Sequence, residues 1–168
     1  MIPLFRLIPA ALALVLFALP ARAALDIQTV TSPGGITAWL VQEDNIPFTA
    51  LEIRFRGGSS LDPAGKEGAV NLMAALIEEG SGEMDAQAFA AARDGLAASF
   101  GFSSDIDTVA VSAQFLTENR DQAVDLLRQA ITTPRFDADA VERVRGQVLA
   151  GLRSDEKDPD SIASQIFR

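Results

Sequence analysis

The chain of 168 residues contains no cysteine and no histidine. Without cysteine it has no disulfide, no thiolate nucleophile and no iron–sulfur ligand. Without histidine it lacks a Ser-His-Asp triad, a His general base and the usual zinc ligand sets. Any metal would have to be held by oxygen atoms alone, which suits calcium or magnesium better than zinc. Zinc hydrolysis by the chain's own residues is therefore excluded.

Basic residues are also scarce. Lysine and arginine number 14 against 23 acidic residues, which gives a formal net charge of −9. This balance argues against a nucleic-acid partner, because phosphate binding needs a basic surface. With 48% hydrophobic and 22% charged residues, the composition is that of a folded domain.

The first residues have the three parts of a secretory signal peptide. Arg6 precedes an apolar run over residues 7–19, and an Ala-x-Ala site ends at Ala23. The run is shorter than the roughly 20 residues that cross a bilayer, and Pro20 interrupts it. We expect cleavage after Ala23 and export of residues 24–168, to the periplasm in a bacterium with two membranes. No membrane attachment is expected after cleavage.

Hydrophobic alternation predicts five strands in the exported part. The first two form a hairpin around the turn cluster Ser32-Pro33-Gly34-Gly35, and the third shows strict period-two alternation. The predicted strands cover residues 25–30, 36–41, 49–55, 98–104 and 108–116. The glycine-rich stretch 57–65 lacks the spacing of a phosphate-binding loop and is interpreted as a flexible connection.

Helical spacing of apolar residues predicts four main helices and the start of a fifth. The first, over residues 68–77, is apolar except at Asn71, so we expect burial on nearly all sides. The later helices have predicted N-caps at Asp85, Thr117, Asp137 and Asp158. The last pattern stops at Arg168, which suggests a longer protein. This order predicts an α+β, two-layer sandwich with helices on one face of a mostly antiparallel sheet.

Several stretches, in this order, resemble the N-terminal domain of the insulinase/pitrilysin family of inverted-motif zinc peptidases, which includes the mitochondrial processing peptidase. The resemblance covers nearly all of residues 24–168 and implies that this range is one such domain, without the second similar domain of the family. The matching stretches are residues 35–40, 56–59, 62–68, 76–80, 116–119, 136–139, 142–149 and 158–160.

Active members of that family carry His-x-x-Glu-His on the first buried helix, where two His bind zinc and Glu is the base. Alignment on Gly68 puts Asn71 at the first His, Ala74 at the Glu and Ala75 at the second His. The third zinc ligand, a later Glu, corresponds to residues 150–152, which contain no carboxylate. The resemblance thus implies a non-catalytic member with no metal and no cofactor of its own.

Two nearby features have both a functional and a structural interpretation. Glu78 and Glu79 are candidates for a replacement metal site, but adjacent carboxylates on a helix point about 100° apart. Solvated acids at a helix end are the favoured interpretation. Asn71 could grip a substrate backbone, or it could be a structural amide paired at the helix surface.

The resemblance also implies a function. Non-catalytic chains of this family pair with an active, zinc-bearing peptidase subunit in a heterodimer and supply chamber wall and peptide-binding surface. The alternatives are a stand-alone periplasmic peptide-binding or chaperone-like module, and an enzyme with an oxygen-ligated metal. The acidic charge would attract basic peptides, although solubility explains it more simply.

Family members bind peptide substrate by adding an extended strand to a sheet edge beside the metal site. In this chain the corresponding strand spans residues 98–104. Phe100 and Phe102 share one face and are expected to pack in the core, whereas Ser99, Gly101 and Ser103 face outward. These five residues are the candidate peptide-binding site.

Overall fold

The computed structural model describes residues 26–166, so the predicted signal peptide, residues 1–23, lies outside the described residues. The strands are β1 (Ile27–Thr31), β2 (Thr37–Val41), β3 (Phe48–Arg56), β4 (Gly80–Ser81), β5 (Met84–Asp85), β6 (Ser99–Ser104) and β7 (Thr108–Leu116). The helices are α1 (Ala69–Leu76), α2 (Ala86–Gly95), α3 (Arg120–Thr132), α4 (Ala138–Asp155) and α5 (Pro159–Ile166).

The chain divides into two compact units, one ending at Asn45 and one beginning at Ile46. In the first unit, β1 and β2 form the predicted antiparallel hairpin. Its turn is closed by the N–H of Gly35, which donates to the carbonyl of Ser32 at 2.9 Å. Gly35 has φ +84°, a conformation that glycine adopts without strain.

The second unit is built on a three-stranded sheet with the order β3-β7-β6, antiparallel throughout. Two-residue strands β4 and β5, which the sequence does not predict, form a separate small ladder. The expected fold class is confirmed: an α+β arrangement of antiparallel sheets and helices.

One face of the three-stranded sheet forms the core with α2 and α3. Ile53, Val111 and Phe102 lie side by side across the three strands on this face. Phe89 of α2 is fully buried and lies at a tilt to Phe100, with ring centroids 6.4 Å apart. The alternation in β7 reflects this one-sided burial, since successive side chains of a strand point to opposite faces. In β3 only Ile53 packs against the core, whereas Leu51 and Phe55, on the same face, are exposed.

The glycine-rich stretch is ordered by backbone hydrogen bonds, so its interpretation as a flexible connection is wrong. The N–H groups of Ser59 and Ser60 donate to the carbonyls of Asp105 and Ile106, both at 2.9 Å. A Cβ at Gly58 would lie 2.0 Å from the Asp105 carbonyl oxygen. Glycine is required there because two backbone segments touch, and composition alone does not reveal such a contact.

The carboxylate of Asp62 caps the N-terminus of α1. Its Oδ2 accepts the N–H of Gly68 at 2.7 Å and its Oδ1 accepts the N–H of Val70 at 2.9 Å. These are two of the N–H groups that a helix leaves without an internal partner. Gly68 itself has φ +92° and supplies no side-chain cap, so a carboxylate from an earlier turn takes that role.

The other predicted caps have mixed outcomes. Asp85 accepts the N–H of Ala88 at 2.8 Å, and Asp158 accepts the N–H of Ser161 at 2.9 Å, which confirms both. Asp137 occupies the N-cap position of α4, but its carboxylate pairs with Arg135 instead. The prediction for Thr117 is wrong, because residues Thr117–Asn119 form a 3-10 turn and α3 begins afterwards.

No helix among residues 26–166 combines the length and apolarity needed to cross a membrane. The helices instead divide into buried and solvent-facing sides. On α3 the buried side consists of Ala123, Leu126, Leu127 and Ala130.

Replacing Asp62 should measurably destabilise the domain. Asp62→Ala leaves two helix N–H groups without their acceptor and should reduce the free energy of unfolding by about 0.5–2 kcal/mol. Asp62→Asn keeps one acceptor oxygen and should lose less. Urea unfolding followed by circular dichroism measures both variants. Equal unfolding midpoints for wild type and Asp62→Ala would show that this cap contributes nothing.

Candidate functional site

The helix that corresponds to the family's metal-binding helix is α1, and it is exposed on one side. Ala74 is only 3% exposed, whereas Asn71 and Ala75 are exposed to solvent. The expectation of burial on nearly all sides is therefore wrong. Alanine made the apolar run look continuous, but this small side chain is tolerated at the surface as well as in the core.

Asn71 and Ala75 lie one helical turn apart on the exposed face of α1. The family resemblance predicts that these are the positions of the two zinc-binding histidines. The Nδ2 of Asn71 reaches the Oγ of Ser104 across 3.5 Å, a long and weak hydrogen bond. The structural interpretation of Asn71 as an amide paired at the helix surface agrees with this contact. The contact also places the degenerate helix face beside the end of β6.

The stretch that corresponds to the third zinc ligand, residues 150–152, lies on α4, which packs against α1. It contributes Ala150, Gly151 and the exposed Leu152. None of these side chains can bind a metal ion or move a proton. Among residues 26–166, no three acidic side chains come together in a group that could hold a metal.

Glu78 and Glu79, which follow α1, are each held by an arginine from a different helix. Glu79 forms a two-pronged ion pair with Arg143 of α4, at 3.1 and 2.5 Å. Glu78 contacts Arg93 of α2 at 3.4 Å. The two carboxylates do not converge on one point, which agrees with the predicted divergence. Their interpretation as solvated acids is wrong, since the Glu79 side chain is only 20% exposed.

Partial burial raises the pKa of Glu78 above its ordinary value of 4.5, although the nearby Arg93 acts in the opposite direction. One of its oxygens, Oε1, is buried without a hydrogen-bond partner. For Arg143, the hydrogen bond to Glu79 raises the guanidinium pKa. Arg93 and Arg143 are the residues near this helix that sequence reasoning missed, because neither is close to the carboxylates in the chain.

The candidate peptide-binding residues all lie on β6, an edge strand of the three-stranded sheet. Phe100 is buried and Phe102 packs against the core, whereas Ser99 and Ser103 are exposed on the opposite face. Gly101 is half-buried on that opposite face. A Cβ there would meet the Oγ of Ser112 at 2.6 Å, a contact that rotation of the hydroxyl could relieve. The strand therefore has one core face and one open face of small side chains.

A shallow concavity lies on the open face of the sheet. It is lined by Ala50, Leu51, Glu52, Ser99, Ser112, Ala113 and Gln114. The side chains there are mostly small, so the backbone of the sheet is close to the surface. Apart from Ser99, this concavity does not include the candidate peptide-binding residues.

Comparisons with known proteins agree with the geometry. Residues 38–168 match the model of the insulinase family, peptidase family M16. The non-peptidase homolog YmxG of Helicobacter pylori is 31% identical over 131 residues, covering 77% of this chain and 30% of that protein. The chain thus spans about a third of the length of this relative.

Two solved structures share the fold. A crystal structure of an inactive domain of peptidase M16 from Pseudomonas fluorescens has a TM-score of 0.76 and 30% identity, covering 83% of this chain and 34% of that one. A protease from Helicobacter pylori has a TM-score of 0.70 and 16% identity, covering 82% of this chain and 34% of that one. The second likeness concerns the fold alone.

Replacing Glu78 with glutamine should change how stability depends on pH. The raised pKa means that ionisation of Glu78 opposes folding, so this residue's contribution to stability is present below pH 4.5 and is lost as pH rises from there through the higher pKa of the folded state. Glu78→Gln stays neutral, so its stability relative to wild type should increase between about pH 4 and pH 7. Urea unfolding across this range measures the difference.

Glu79→Gln is the matched control, because it also removes one negative charge, from the residue next to Glu78. Unlike Glu78→Gln, it breaks the ion pair with Arg143. It should lower stability at neutral pH, by up to about 1 kcal/mol. A Glu78→Gln variant that is destabilised in parallel with Glu79→Gln would contradict the assignment of desolvation as the dominant effect on Glu78.

Proposed function

Since this chain belongs to the insulinase family, peptidase family M16, and is a non-catalytic member of it, we propose that it is the non-catalytic subunit of an exported zinc-peptidase complex. In this role it supplies peptide-binding surface, and an active partner with an intact His-x-x-Glu-His motif supplies the zinc and cleaves the peptide. The observation that carries the proposal is the position of an open strand edge beside a helix that has lost its catalytic residues.

The hydrogen-bonding pattern of β6 supports peptide addition at this edge. At the β6–β7 turn, the N–H of Asp105 donates to the carbonyl of Thr108 at 2.8 Å, which defines a hydrogen-bonded pair. Such pairs alternate along an antiparallel ladder, so Ser103 and Ala110 form the next one. Gly101 follows, with its backbone also directed toward β7.

The intervening residues therefore direct their backbone groups away from β7. These are Phe100, Phe102 and Ser104, and among residues 26–166 no strand pairs with that side of β6. Their N–H and carbonyl groups are available to an extended peptide, which would bind through main-chain hydrogen bonds with little sequence selectivity.

The two edges of the sheet differ in a way that favours β6. On β3, the open face carries Glu52, Arg54 and Arg56, and Glu52 pairs with Arg54 at 2.6 Å. Charged side chains on an edge strand discourage the addition of another chain. Residues Ser99–Ser104 of β6 include no charge and no proline. The edge beside α1 is thus the one left without this protection.

Export is part of the proposal. Arg6, the apolar run 7–19 and the Ala-x-Ala site ending at Ala23 support a cleaved signal peptide and a periplasmic location. The partner would then be an exported peptidase as well, since the two subunits must meet in the same compartment.

Co-purification tests the partner and the location of the zinc together. The full chain is expressed with an exported M16 peptidase that carries His-x-x-Glu-His, and the complex is isolated through a tag on this chain. We expect one zinc per heterodimer, none in this chain alone, and peptide cleavage by the complex that a chelator abolishes.

Other outcomes would replace the proposal with an alternative. A chain that binds peptides but recruits no active peptidase would be a stand-alone peptide-binding module. Stoichiometric metal in the isolated chain, together with cleavage that a chelator abolishes, would make it an enzyme in its own right.

Substitution of Ser104 tests the peptide edge. Ser104→Pro removes one outward N–H, and proline is tolerated on an edge strand at such a position. Binding of a fluorescein-labelled extended decapeptide should weaken about twofold to tenfold, as expected for one hydrogen bond.

The matched control is Ser104→Ala, which removes the hydroxyl near Asn71 and keeps the N–H. It should leave peptide affinity unchanged in fluorescence anisotropy, and thermal unfolding should show both variants folded. If Ser104→Pro is folded and binds the decapeptide as tightly as wild type, the β6 edge is not the binding site.

A further inference from the structure

The exposed face of α1 borders the end of β6, where Asn71 meets Ser104. A peptide added to the edge of β6 would direct half of its side chains to this side of the sheet. In a strand pair, directly opposed residues share a face of the sheet. A peptide residue opposite Ser104 would therefore point its side chain to the helix side, where the Oγ of Ser104 already meets Asn71.

The exposed residues of α1 at this point carry no charge and few side-chain atoms. Asn71 is an uncharged amide and Ala75, one turn further along the exposed face, ends at its Cβ. Each of the two carboxylates that follow α1 contacts an arginine, Glu78 through Oε2 with Arg93 and Glu79 with Arg143, and the remaining Glu78 oxygen is buried. A peptide side chain bound here would lose contact with water and would meet no exposed, unpaired carboxylate from Glu78 or Glu79.

From this geometry we infer that the degenerate metal site has become a side-chain subsite for a bulky, uncharged residue of the bound peptide. The inference rests on the proposed peptide binding at β6 and adds a determinant of specificity to it. Ala75 sets the size of the subsite, because a larger residue at that position would fill the space above the helix. Asn71 borders the subsite on the side of β6.

A large aliphatic side chain gains affinity here by losing contact with water, whereas a charged one loses hydration beside an uncharged amide and a methyl group. The preference is a matter of side-chain chemistry and adds to the main-chain hydrogen bonds, which all peptides can make.

Three labelled peptides test this inference on the full chain. They are decapeptides of alternating threonine and alanine that differ only in one central residue, which is leucine, alanine or aspartate. Fluorescence anisotropy should give an affinity about fivefold to tenfold higher for the leucine peptide than for the alanine peptide. The aspartate peptide should bind more weakly than the alanine peptide.

Ala75→Leu should remove the preference. The ratio of leucine-peptide to alanine-peptide affinity should fall to about one, while the alanine peptide still binds through its backbone. Ala69→Leu is the matched control, because Ala69 is also exposed on α1 but lies about 120° around the helix from Ala75. This variant should keep the wild-type ratio, and circular dichroism should show both variants folded.

Each remaining outcome would overturn the inference. Equal affinities of wild type for all three peptides would reject the subsite and leave peptide binding at β6 intact. An unchanged preference in folded Ala75→Leu would place the subsite elsewhere. Absence of binding by all three peptides would reject the proposed function together with the inference.

Discussion

The position of α1 depends on one carboxylate that lies outside the helix. Asp62 accepts the N–H groups of both Gly68 and Val70 and thereby fixes the residue at which the helix begins. Each residue of an α-helix is rotated about 100° from the previous one. With the start of the helix fixed, burial of Ala74 and Leu76 on one face turns Asn71 outward, where it meets Ser104.

The contacts that hold this domain together are different from the residues that would bind a metal ion. Asp62 caps α1, and two ion pairs join the end of this helix to its neighbours. Glu78–Arg93 connects it to α2, and Glu79–Arg143 connects it to α4. These contacts require no metal ion. A chain that retains them keeps the shape around the site, with asparagine and alanine at the positions that the family resemblance assigns to the metal ligands. A non-catalytic member can therefore keep a defined surface around this helix.

The sequence predicted features that depend on nearby residues. Asp85 and Asp158 cap the helices that begin immediately after them, so their role follows from local spacing. The two faces of β6 follow from alternation, whereas its position at the edge of the sheet was implied by the family resemblance. The degenerate positions on α1 follow from the family motif, which needs only one aligned helix.

Features that depend on contacts distant in the chain were not predictable in this way. Asn71 meets a residue 33 positions away, and Glu79 pairs with Arg143 across 64 positions. Asp62 was missed as a cap because it stands six and eight residues before the N–H groups that it accepts. Only the folded chain brings such groups together, so spacing in the sequence contains no direct signal of them.

The close approach at Gly58 has a consequence for how this chain can change. Any side chain at this position would collide with the backbone at Asp105, whether or not the protein ever cleaves a peptide bond. A larger side chain at Asn71 or Ala75 would meet no such collision, because both positions face solvent. The fold therefore restricts the residue at Gly58 much more tightly than the residues on the exposed face of α1.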